Sequence, residues 1–60
     1  MIKTLKEADV GDLVIHDGKV CKVTFIYVFY ENKYIDLEHR GEFMSTFYHH
    51  FKTIRLTISL

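Results

Sequence analysis

Between Gly11 and Val23 the chain reads Leu13-Val14-Ile15-His16, then Asp17-Gly18, then Lys19-Val20-Cys21-Lys22-Val23. A β-hairpin fits this pattern directly. A type I′ turn needs positive φ at both central residues, which Asp tolerates and Gly adopts freely. The flanking runs carry the β-branched bias of strands. The rest of the chain is therefore expected to be mainly antiparallel strands joined by tight turns.

Sixty residues make one small domain, 1–60, with no room for a second core. A chain of this length buries only about 60% of its unfolded surface. Cys21 is the sole cysteine, so no intramolecular disulfide compensates. Stability must come from aromatic packing, for which five Phe and four Tyr are available, or from a partner. Within an apolar strand Cys21 reads as a small buried hydrophobe. A free thiol fits a reducing compartment, and the opening Met1-Ile2-Lys3-Thr4-Leu5-Lys6-Glu7 lacks the apolar core of a signal peptide. With no apolar run of membrane-spanning length, the expectation is a soluble, cytoplasmic protein without a membrane partner.

Val10–His16 is read as the first strand and Lys19–Tyr30 as a long second one. Ahead of them, Thr4 with Glu7 three residues later gives either a loose lead-in or one capped helical turn. Glu31-Asn32-Lys33 makes a short polar loop. Tyr34–His39 alternates Ile35 and Leu37 with Asp36 and Glu38, a third strand, before a turn at Arg40-Gly41-Glu42. The segment 43–51 carries two signals. Phe43, Met44, Phe47, Tyr48 and Phe51 fall at helical spacing, yet its residue types form helices poorly and no N-cap precedes it. A strand ending in one helical turn at 49–52 is the favoured reading. Lys52–Leu60 then alternates Ile54, Leu56, Ile58 and Leu60 with Thr53, Arg55, Thr57 and Ser59, a half-buried last strand. Five short strands in so small a chain predict an all-β, five-stranded antiparallel SH3-like barrel, whose closure also removes exposed edges.

The run from Val10 to Val23 resembles the opening hairpin of KOW-type, SH3-like domains. It is similar to the N-terminal domain of the elongation factor P family, where a Gly-Asp, an Asp-Gly turn and a following Val recur in this order. The likeness covers about the first third of the chain. That family places a Gly- and Pro-rich loop with a modifiable lysine after the second strand. This chain has Phe25-Ile26-Tyr27-Val28-Phe29-Tyr30 there, and Lys33 lacks a Gly-Lys-Gly setting. The resemblance therefore implies a fold and not translation-factor activity. Ile54-Arg55-Leu56-Thr57 is in turn similar to the closing strand of small barrels encoded in bacteria and their phages.

Val23–Tyr30 is apolar at nearly every position, whereas a strand with one wet face alternates. A bulge near Thr24-Phe25 reconciles this with a single interior. Cys21, Val23, Ile26, Val28 and Tyr30 then face inward, and Phe25, Tyr27 and Phe29 face outward. Those outward rings are either covered by the N-terminal lead-in or by 43–51, or they form a protein interface with Tyr34 and Tyr48 at its margin. Aromatic residues suit interface cores because they bury much area at small entropic cost. A second copy of the chain, or a larger protein bound by a small phage-type regulator or inhibitor, would occupy such a face. The alternative is a single-stranded nucleic-acid surface of KOW or OB type, formed by Lys19, Lys22 and Lys33 with Tyr27 and Phe29. Eight basic residues against eight acidic ones give no net basic excess to support it.

His49 and His50, with His16 or His39, do not make a metal site on this reading. Adjacent strand residues point to opposite faces, and the spacing matches no ligand motif. No phosphate loop, nucleophile elbow or paired-carboxylate motif is present, so neither an enzyme nor a cofactor is expected.

Overall fold

The computed structural model describes residues 2–49, which form one sheet with no helix. Its strands are β1 (Ile2–Lys3), β2 (Leu13–His16), β3 (Lys19–Phe29), β4 (Asn32–His39) and β5 (Glu42–Tyr48). They lie side by side in chain order, with β1 parallel to β2 and every later pair antiparallel. Among the described residues the sheet is open, with β1 and β5 at its two ends. The expected strand 52–60 lies outside the described residues, as does the expected helical turn apart from His49. The fifth strand seen is instead the two-residue β1, too short to leave a period-2 signal.

The hairpin predicted at Asp17-Gly18 is present, with φ of 53° and 75° at its central residues. Arg40-Gly41 repeats the device between β4 and β5, at 52° and 83°. The connection between β3 and β4 sits earlier than the polar loop predicts. It turns at Tyr30-Glu31, so Asn32 and Lys33 belong to β4. Tyr30 has φ 56°, an uncommon conformation for a bulky side chain, and stands 81% exposed instead of facing inward.

Residues 42–48 settle the ambiguity of the aromatic segment as strand. Pairing to β4 places Phe43 and Phe47 on one face and Met44 and Tyr48 on the other. The apparent helical spacing arose because both faces of β5 carry large side chains.

The register between β3 and β4 slips at Thr24: Val23 pairs with Leu37, but Phe25 pairs with Asp36. This is the bulge expected near Thr24-Phe25, and Thr24 Oγ1 closes it by donating to the Asp36 carbonyl at 3.3 Å. The extra residue inverts side-chain parity. Cys21 and Val23 before it share a face with Ile26 and Val28 after it, leaving Phe25, Tyr27 and Phe29 opposite.

Ala8, Val14, Cys21, Val23, Ile35 and Leu37 form the buried core, with Leu5, Ile26 and Met44 packed against it. Residues 4–8 cover this core. Glu7 N and Ala8 N both donate to the Thr4 carbonyl, and Thr4 Oγ1 donates to Glu7 Oε1 at 3.2 Å, so the lead-in is a hydrogen-bonded turn and not a helix. Lys33 fastens it. Only 4% exposed, its Nζ donates to the carbonyls of Leu5 (3.0 Å), Lys6 (2.9 Å) and Ala8 (2.7 Å). Burial pulls the Lys33 ammonium below the ordinary lysine value, while the nearby Asp9 and Asp12 carboxylates act in the opposite sense.

Candidate functional site

The residues that cover the core leave the other face of the sheet uncovered by any described element. Its side chains fall in rows fixed by register. Lys22, Glu38 and Phe43 form one row across β3, β4 and β5, and Phe25, Asp36 and Ser45 the next. Tyr27, Tyr34 and Phe47 form a third, followed by Phe29 opposite Asn32. The bulge makes this arrangement possible, since an unbroken strand would carry Phe25 and Tyr27 on the core side.

The rings touch in sequence. Tyr27 and Tyr34 stack at 5.0 Å between centroids and 17° between planes. Phe25 flanks Tyr27 at 6.1 Å, and Phe47 flanks Tyr34 at the same distance on the far side. His49 meets Phe47 edge-on, and Tyr30 meets Phe29 edge-on at 4.4 Å. Such pairs favour offset or tilted geometry, so the ladder holds its own shape. It nonetheless stays wet: Phe25, Tyr27 and Phe47 are 55%, 51% and 54% exposed, and Phe29 and Phe43 are exposed too. A contiguous apolar patch of this kind marks an interaction surface far more often than a lone exposed ring does.

Polar groups punctuate the ladder. Ser45 Oγ donates to Asp36 Oδ1 at 3.0 Å, and Asn32 Nδ2 donates to the Tyr34 hydroxyl at 3.4 Å. Asn32 Oδ1 accepts from His49 Nδ1. Asp36 therefore stands in the row beside the stacked tyrosines, on a central strand, with a hydroxyl as its hydrogen-bond partner.

Of the interface residues expected from sequence, Phe25, Tyr27, Phe29 and Tyr34 come together here. Tyr48 does not: it pairs with Lys33 on the core side of the sheet. Phe47, Phe43 and Asp36 belong to the face and were not singled out from sequence. The signal for Phe47 was the strand alternation of residues 43–48, masked by the competing helical spacing.

The three lysines of the nucleic-acid alternative are not brought together. Lys22 lies on the aromatic face opposite Glu38, and Lys19 falls at the hairpin end on the parity of Cys21. Lys33 points through the other face into the N-terminal turn. A buried ammonium with three carbonyl acceptors is a structural group, not a phosphate contact.

Cys21 is fully buried, its Sγ 3.6 Å from the Lys19 carbonyl. Among the described residues no three His, Cys, Asp or Glu side chains gather as metal ligands, and no helix is long and apolar enough to cross a membrane. No protein-family model, curated protein or solved structure matches the chain, so the likeness to KOW-type domains rests on the hairpin residues alone.

Proposed function

We propose that the chain is a non-enzymatic protein–protein interaction module whose interface is the aromatic face centred on Tyr27 and Tyr34. The observation that carries this is the ladder Phe25–Tyr27–Tyr34–Phe47: four rings in mutual contact across three strands, three of them more than half exposed. Covering such a surface releases its apolar area from water at roughly 25 cal/mol per Å². Rings already held by one another lose little entropy on binding. Tyr30, exposed in a left-handed conformation at the rim, extends the same surface. The occupant is either a second copy or a different protein, as in a small phage-type regulator or inhibitor acting in the cytoplasm. An SH3-like architecture is part of this proposal. The antiparallel meander β2–β5, with its long bulged β3, supports it, and closure needs a pairing partner for β5.

Sedimentation velocity over a wide concentration range tests the interface. A dimer that Tyr27→Lys abolishes, with the fold retained, puts the face between two copies. If the chain self-associates equally well with Tyr27→Lys in place, the face is not the self-interface. If a folded monomer persists throughout, the occupant is a different protein or the reading fails, and the charge on the face decides which chemistry to offer it.

A further inference from the structure

An apolar patch on a central strand would ordinarily be closed by any apolar partner, but this one contains a carboxylate. Asp36 lies between Phe25 on β3 and Ser45 on β5, one row from Tyr27, Tyr34 and Phe47. Those residues are its same-face neighbours, directly opposite or diagonal. A partner that covered the rings would also strip water from Asp36. Ser45 satisfies one acceptor site on Oδ1, whereas an ionised carboxylate accepts on both oxygens. Dehydrating it without a counter-charge costs more than a few apolar contacts return. An occupant that brings a cation to this point supplies both the counter-charge and the missing donors.

The described residues of a second copy are poorly equipped to do so. Among the described residues, register brings Asp36 and Glu38 of each copy to this face, against the ammonium of Lys22 and the His49 imidazole beside Phe47. Lys22 already stands opposite Glu38 of its own chain. Face-to-face pairing of the described sheets would set these carboxylates against one another in an apolar interface.

The chemistry around Asp36 also discriminates between cations. A guanidinium is planar, so it stacks on neighbouring rings while forking two N–H groups onto a carboxylate. An ammonium is a compact, strongly hydrated charge that does the first less well. Resting on the proposal that this face is an interface, we infer that its occupant is a different protein that lays an arginine side chain among Phe25, Tyr27 and Tyr34 and onto the Asp36 carboxylate. Apolar residues flanking that arginine cover Phe47 and Phe29.

The test follows the backbone amide resonances of the full, isotope-labelled chain during two titrations. The probe is the peptide acetyl-Val-Arg-Val-Arg-Val-amide, compared with the same peptide carrying citrulline, which keeps the shape and loses the charge. The expected result is a set of shifts centred on Phe25, Tyr27, Tyr34, Asp36 and Phe47, with the arginine peptide binding about tenfold more tightly. Asp36→Asn, which keeps an acceptor for Ser45 and a dispersed spectrum, should erase that preference. Equal binding of both peptides on this face overturns the arginine assignment and leaves the interface standing. An arginine preference that survives Asp36→Asn overturns it as well, because the carboxylate is then not the receptor. If neither peptide moves the face, the assignment falls. Sedimentation then shows whether a second copy holds the face, the case in which the interface alone survives.

Discussion

Strand β4 carries the buried cation Lys33 and the partly exposed anion Asp36 three residues apart, on opposite faces of the sheet. Lys33 is enclosed and its ammonium donates to three backbone carbonyls. Asp36 is held by one serine hydroxyl. Burial of a charge is tolerated where the fold supplies its partners, and the first case meets that condition within the chain. The second case leaves the remaining acceptor sites of Asp36 to water. One face of the same strand is therefore finished by the protein's own backbone, and the other stays open to solvent.

Substitutions on the two faces should differ accordingly. Leu37→Ala, in the fully buried core beside Val23, is expected to cost about 2–5 kcal/mol in chemical denaturation, enough to unfold a domain this small. Lys33→Met keeps the aliphatic stem but strands the carbonyls of Leu5, Lys6 and Ala8. A loss of about 1–3 kcal/mol is expected, with amide exchange of residues 4–8 accelerating before that of β3 and β4. On the other face, Tyr27→Lys removes one member of a cross-strand stack and should cost about 1 kcal/mol or less. A comparable loss of stability for Tyr27→Lys and Leu37→Ala would erase the distinction between the faces.

The smallest effect concerns Asp12. The Asp9 backbone N–H donates to Asp12 Oδ2 at 2.9 Å, and Lys3 approaches the same oxygen at 3.7 Å, which together hold its carboxyl below the ordinary carboxylate range. A carboxyl lowered in the folded state stabilises that state above the unfolded value of 3.8, and the contribution disappears as pH falls through the lower folded value. Thermal melts at a series of acidic pH values should show this decline in the parent chain and a flatter profile in Asp12→Asn. An unchanged profile in the variant would mean the local contacts do not set that carboxyl.

Much of the sheet was legible before any coordinates. The Asp17-Gly18 turn, the alternation of β4 and the bulge at Thr24 all follow from local chemistry: positive φ, period 2, and an apolar run with too many faces to bury. The outward turn of Phe25, Tyr27 and Phe29 came with the bulge. Lys33 escaped because its partners lie 25 to 28 residues upstream, a separation that no window along the chain reports. Assigning it to a polar loop hid its place in the series Lys33, Ile35, Leu37, where period 2 would have put it on the buried side. Tyr48 was misplaced for the related reason that β5 is large on both faces, so only pairing with β4 could sort it.

The lysine clamp also has a consequence for the order in which the molecule is made. Residues 4–8 leave the ribosome before β4, and the group that fixes them is synthesised more than twenty residues later. Until then the turn has only its two backbone bonds to the Thr4 carbonyl and the Thr4–Glu7 side-chain bond to hold it, too few to persist in water. This segment thus waits for the middle of the sheet. Its closure over the core depends on β4 being in place.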